Sequence, residues 1–300
     1  MPDMQFGVNF RAAASKADFE RLVRRADELG FDVLALPDHL GAAAPFSTLA
    51  AAGAISSRLR LTSYVLNVGF WNPALLAREV ATLDLLSGGR AELGIGAGHA
   101  KSEHEDAGLA WLPFRPRIEL LERTAVEVRR RLADPGHEPA PVQRPVPLLV
   151  AAMSAAGLAV AARHADIVGF SGLRQLPGQE PGTFRLSTAA ETAQAVATVR
   201  EQAGGRAYRS DALLQRVVIG QDPGEAAAAM AAAAPPLSPA EILDSPFMLF
   251  GRTAEEAAGE LERRGQEFGF DRVTTHQSSL EALGQVIAAY RAARSGPAGH

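Results

Sequence analysis

Gly88-Gly-Arg-Ala-Glu-Leu-Gly-Ile-Gly-Ala-Gly98 is the stretch that most restricts what this chain can fold into. Residues 91–95 are a short apolar run set between one glycine pair and the pattern Gly96-x-Gly98. A buried parallel strand is punctuated in this way. The second set of glycines follows the carboxyl end of that strand, where parallel α/β sheets bind ligands. Residues without a Cβ let backbone N–H groups approach a phosphate there.

Two folds can own such a string. Glu92-x-Gly94-x-Gly96-x-Gly98 fits the glycine loop of a methyltransferase that uses S-adenosylmethionine, on the first strand of a Rossmann sheet. That reading needs a second strand ending in an acid some 20 residues on. The corresponding region, 115–132, instead carries Ile118, Leu121, Ala125, Val128 and Leu132 at helical spacing. Three strand-then-helix units also precede the glycines, with strands at 4–9, 32–36 and 59–67 and helices at 15–30, 46–57 and 73–86. The glycine strand is then the fourth of a longer array. Further strands are expected at 148–151, 167–170, 213–220 and 272–276. A helix follows each, with short extra helices at 222–234 and 238–243. Eight such units predict a (β/α)8 TIM barrel, an α/β fold, as one domain over 1–294, with 295–300 a disordered tail. Three hundred residues, 47% of them hydrophobic, suffice for its core.

A net charge of −4 and a pI near 6.0 provide no bulk basic field for nucleic acid or an anionic membrane, so neither is expected as a partner. Without cysteine there is no disulfide, thiolate catalysis or cysteine-bound metal. The start of the chain lacks a signal-like h-region and no run reaches 18 apolar residues, so the expected location is the cytoplasm.

In a barrel, residues just past the strands carry the chemistry. Strand two stops at Pro37 and delivers Asp38 and His39 to that position; the alternative is a turn cap and a surface histidine. Strand three carries Ser63 and Tyr64 to its exit. Trp71 lies in a loop, suited to packing or a subunit contact as well as to substrate. Glu103-His-Glu-Asp106 suggests a metal cluster, but contiguous residues on a helix point in different directions, so a solvated helix start is the reading and no metal is expected. Ser154 is placed to cap helix 155–164, whose N-terminus is a natural anion site. The proline-rich stretch 134–147 is a loop, and the Gly- and Pro-rich 171–185 reads as a mobile insertion over the mouth.

Several strings together resemble the bacterial luciferase-like flavin and deazaflavin monooxygenase superfamily, in its coenzyme F420 branch. They are Leu29-Gly-Phe-Asp-Val-Leu-Ala-Leu-Pro-Asp-His39, the run from Asn72 to Arg90, the glycine strand, Ala162-Arg-His-Ala-Asp-Ile-Val-Gly169 and Ser245-Pro-Phe-Met-Leu-Phe-Gly-Arg-Thr-Ala-Glu-Glu256. The resemblance implies a barrel-mouth site holding F420, or FMN in the alternative. Asp38 and His39 would be catalytic beside the ring. Ser63, Tyr64 and Val65 would back it, with a non-proline cis peptide near Tyr64 and Val65. Gly96, Ala97, Gly98, His99, Met153 and Ser154 would bind cofactor, and Phe10, Trp71, Phe170 and His276 are the candidate substrate contacts. The implied reaction is hydride transfer between F420 and an activated C=C, C=O or C=N bond of a small molecule, by a homodimer. The alternatives are an FMN-dependent monooxygenase using oxygen and a non-catalytic ligand-binding barrel. His99 departs from the pattern, since relatives often place an aromatic or acidic residue there, and Ala43 stands where some carry tryptophan.

Overall fold

Eight parallel strands close on themselves in the computed structural model, which describes residues 3–11, 13–233 and 237–295. They are β1 (Gln5–Asn9), β2 (Val33–Leu36), β3 (Arg60–Ser63), β4 (Ala91–Gly96), β5 (Leu148–Ala152), β6 (Ile167–Phe170), β7 (Arg209–Leu214) and β8 (Arg272–His276). Each pairs with its sequence neighbour, and β1 with β8 closes the ring. The (β/α)8 barrel read from the alternation is the observed fold. The expected tail lies beyond the described residues after Ser295.

Local chemistry explains the alternation. Pro73 opens helix Pro73–Ser87 behind Asn72, whose side chain accepts from Ala74 N–H; Gly88 and Gly89, at φ +67° and +84°, turn the chain back towards β4. Arg90 then locks this corner, its guanidinium donating to the carbonyls of Gly53, Ser56, Leu59 and Ser87 at 2.7–2.9 Å. Gly94 lets β3 and β4 touch, because a Cβ there would stand 1.9 Å from the Ser63 carbonyl oxygen.

Three elements differ from expectation. The third strand does not run unbroken over 59–67: β3 ends at Ser63 and pairing with β4 resumes at Leu66–Asn67, while the non-proline cis peptide expected near Tyr64 and Val65 is present between those two residues. The seventh barrel strand lies earlier than 213–220. Its inward face carries the buried, charged Asp211 beside Leu213, which hides the apolar alternation. Arg216–Ile219 leaves the barrel to pair with Met248–Gly251 outside it. The insertion after β6 is an antiparallel hairpin, Leu173–Gln175 with Phe184–Leu186. Arg185 ties it to Glu191 at 2.6 and 2.8 Å, in the capping box of helix Ala189–Ala203. Among the described residues no helix is long and apolar enough to cross a membrane.

Candidate active site

The carboxyl ends of the strands surround a cavity of about 670 Å³, within the range of small-molecule sites. His39, just past β2, donates from Nδ1 to Glu103 Oε1 at 2.7 Å, since a carboxylate only accepts. Glu103 lies on the short helix Lys101–Asp106, and the solvated helix start expected at 103–106 is corrected here. Successive helical residues are about 100° apart, so the three acids and the histidine go separate ways. Glu103 faces the cavity. His104 is buried, its ring 4.9 Å from both Phe70 and Trp111, with Nδ1 3.2 Å from the Ala100 carbonyl. Only the end of the segment is solvated: Lys101 pairs with Glu105 at 3.2 Å on the exposed side. Among the described residues no group of histidine and carboxylate side chains is arranged to hold a metal ion.

Asp38 holds the loop that presents His39. Its carboxylate accepts from Trp71 Nε1 at 2.8 Å and from Asn67 N–H at 3.2 Å. Burial pushes the carboxyl up from its ordinary value, against these two hydrogen bonds. Trp71 is therefore a strut, edge-on to Phe46 at 5.3 Å, and is not in the cavity wall. Phe10 is likewise in the core, at the edge of a separate cavity of about 330 Å³, and Phe170 packs against Phe270. Of the four candidate substrate contacts, only His276 reaches the wall, with Nε2 3.4 Å from Gln215 Oε1.

The expected cofactor positions converge. Tyr64 and Val65 form the floor, the Tyr64 carbonyl accepting from Asn9 Nδ2 at 3.2 Å. Ser63 sits behind that floor, its Oγ donating to the Gly94 carbonyl and accepting from Gly94 N–H. Gly96, Ala97, Gly98 and His99 make one wall, Met153 and Ser154 the next. Ser154 Oγ is spent on the Gly157 N–H, so it caps helix Ala155–His164 rather than standing free. The His99 ring is 5.2 Å from that of His39 and 5.3 Å from that of Phe184 on the hairpin, nearly perpendicular to both. Burial lowers the His99 pKa, and the neighbouring His39 and Arg117 lower it further, against Glu103. His99 is neutral near pH 7.

Sequence reasoning passed over Glu103, Arg117, Arg174 and Gln215. Arg117 donates to the Gly98 carbonyl at 2.6 Å and lies 3.9 Å over the Trp111 ring. Nothing in its helix distinguishes it from the eight other arginines and acids there; only the fold brings it to the glycine wall.

Comparison with known proteins follows the same lines. The family described as luciferase-like monooxygenase matches residues 4–293. An F420-dependent glucose-6-phosphate dehydrogenase from Kribbella flavida is 36% identical over 141 residues, 43% of this chain and 42% of that protein. A 5,10-methylenetetrahydromethanopterin reductase from Archaeoglobus fulgidus is 34% identical over 131 residues, 44% of this chain and 38% of that one. The matches thus span about two fifths of these relatives' length. Among solved structures, an F420-dependent secondary alcohol dehydrogenase in complex with an F420-acetone adduct superposes with a TM-score of 0.75 at 18% identity, covering 96% of this chain and 99% of that one. At that identity the likeness is one of fold.

Proposed function

The chain belongs to the luciferase-like monooxygenase family, and from that premise we propose that it is an oxidoreductase passing hydride between coenzyme F420 and an activated C=C, C=O or C=N bond of a small organic substrate. The observation that carries this reading is the His39–Glu103 pair facing a cavity that the main chain of Gly96 and Gly98 also lines. The F420 dependence named for the Kribbella flavida relative supports the choice of cofactor.

The residues present suit such a group. A Cβ at Gly96 would stand 2.7 Å from Val65 Cγ2, and Gly98 sits at φ +73° with Asn67 Oδ1 only 2.4 Å from where its Cβ would be. Both positions exclude side chains and leave main chain as the binding surface. Val65, Ala97 and Met153 offer an apolar bed for a flat ring. The helix N-terminus after Ser154, with Arg117 and Arg174, suits an anionic tail without a basic protein surface. When bound, the deazaflavin supplies the carbon that gives or takes hydride.

The protein's own part is proton management and orientation. Glu103 accepts the Nδ1 proton of His39 and so fixes the tautomer whose Nε2 carries the lone pair. That nitrogen takes the proton of a substrate hydroxyl as hydride leaves, or returns one in the reverse direction. Asp38, through Trp71 and the Asn67 N–H, keeps this loop in place. The hairpin lines the cavity with Leu173, Pro181 and Phe184, which limits the size of substrate it admits. Titration with F420 should quench or shift the cofactor's fluorescence. Absence of binding at tens of micromolar sinks this reading, and tight FMN binding in its place selects the oxygen-using alternative.

We further place the chain in a homodimer, since helix Pro73–Ser87 exposes Leu75 at 51%, Leu85 at 50% and Leu86 at 71%, large for a free surface. Light scattering should give twice the 31.6 kDa chain mass, and a monomer there removes the proposal.

A further inference from the structure

Beneath the cavity floor, the barrel interior holds a polar cluster that the proposed reaction does not use. Arg272, fully buried, donates from Nε to Asp211 Oδ2 at 2.5 Å and from Nη1 to Glu92 Oε2 at 2.7 Å. Arg60 meets the other oxygen of Glu92 at 2.6 Å, and Thr274 Oγ1 donates to Asp211 Oδ2 at 3.0 Å. Three buried atoms of this neighbourhood make no hydrogen bond among the described residues: Asp211 Oδ1, Arg272 Nη2 and the Tyr64 hydroxyl. Leaving three such groups dry is far costlier than leaving one, and native interiors rarely do so.

The register brings the three together. Asp211 stands directly beside Gly169 on β6 and beside Arg272 on β8, so their inward directions share one layer of the barrel. The Tyr64 hydroxyl reaches across from the β3 side to within 3.0 Å of where a Cβ on Gly169 would be. The phenol thus ends beside the layer that Asp211 and Arg272 share, yet it bonds directly to neither. One oxygen placed among the three atoms completes all of them through bonds in series.

We infer that Tyr64, Asp211 and Arg272 form an internal site for a single water molecule, set in the barrel directly under the cavity floor. Charge decides the occupant. Arg60, Arg272, Glu92 and Asp211 balance, so an anion would meet the Asp211 carboxylate and a cation the Arg272 guanidinium, whereas water serves both. It accepts from Arg272 Nη2–H and from the Tyr64 O–H and donates to Asp211 Oδ1, the three bonds an internal water ordinarily makes. Burial holds the Tyr64 phenol well above its usual ionisation range, with Asp211 adding to the effect, so its proton stays available to donate. The same residue's main chain makes the floor of the cavity and accepts from Asn9, so this water braces the floor from below.

The test is a crystal structure of the whole chain at a resolution that shows ordered solvent, from crystals grown in bromide. The expected result is one discrete peak within 2.6–3.2 Å of all three atoms, without anomalous signal. A Tyr64 hydroxyl bonded directly to Asp211 or Arg272 with no peak between them would overturn the inference, as would an anomalous bromide peak at that point. Neither outcome depends on whether the cavity above binds F420.

Discussion

Replacing Glu103 with glutamine tests the proposed chemistry at its most specific point. The carboxylate can only accept, which forces the proton onto His39 Nδ1 across 2.7 Å. An amide presents either its oxygen or its NH2 group to that nitrogen. The first choice keeps the tautomer with a weaker bond, and the second moves the proton to Nε2 and removes the lone pair that faces the cavity. A hydrogen bond to a charged group contributes about 1.5–3 kcal/mol, which is roughly 10- to 150-fold in rate. The side chains of His39 and Glu103 keep 25% and 17% of their exposure, so water screens the pair and the lower end applies, about 10- to 30-fold in kcat/KM. The fall should lie in kcat, with cofactor Kd changed less than about twofold, because the pair makes no hydrogen bond to Gly96, Gly98 or Ser154. The assay is steady-state turnover followed by cofactor absorbance, beside a fluorescence titration of the same preparation. If Glu103→Gln turns over at the wild-type rate while His39→Gln does not, the carboxylate has no part in setting the imidazole. If only cofactor affinity falls, Glu103 belongs to binding instead.

Other consequences concern stability and the hairpin. His99 and His276 are both lowered from the ordinary 6.5, first by burial and then by His39 for one and Arg11 for the other. The unfolded chain therefore binds protons at a higher pH than the folded one, so their contribution is intact above 6.5 and is lost as pH falls through that value towards the folded pKa values. The denaturant midpoint should drop between pH 7.5 and 5.5, and the double variant His99→Phe, His276→Gln should show a smaller drop; an equal drop in both proteins contradicts this. Arg185 holds the Glu191 carboxyl at about 2, from 4.5, so the tie between hairpin and helix is whole above 4.5 and disappears as pH falls towards 2. Pepsin should cut within 173–186 increasingly over that interval, and Glu191→Gln should already be cut at pH 4.5; identical cleavage of the two proteins at pH 4.5 would show that another contact holds the hairpin. Gly94→Ala sets a Cβ 1.9 Å from the Ser63 carbonyl oxygen, a main-chain atom that cannot turn aside. Overpacking of this kind costs about 1–3 kcal/mol or more, a fall of roughly 2–4 °C in Tm for each kcal/mol, and an unchanged Tm would mean that β3 and β4 are not in contact.

What could be read from the sequence follows the range over which its signals act. The β/α alternation, the cap at Ser154 and the glycine pair at Gly88 and Gly89 are local, because each is decided by residues within one turn of chain, and all appear where expected. The same locality explains the errors. Strand β7 was displaced because Asp211 breaks its apolar pattern, and Asp211 is tolerated there through Arg272 and Thr274, 61 and 63 residues away. Glu103 and His104 looked solvated because contiguous charge on a short helix usually is. Their partners are His39, 64 residues back, and an aromatic box of Phe70 and Trp111 drawn from two different loops. Trp71 could be read as a packing, subunit or substrate residue because a loop tryptophan lacks a local reason, and its hydrogen-bond partner is Asp38, 33 residues earlier. The site is thus less legible than the fold for a physical cause: a barrel brings the ends of eight separated strands to one mouth, and partners such as His39 and Glu103 meet there only through the closed ring. His99 is the instructive case. Its place on the glycine wall came from a local motif, but its neutral ring between His39 and Phe184 depends on two other loops. It touches the hairpin through Phe184 on one side and the ring of His39 on the other, so no single segment of chain could have announced its surroundings.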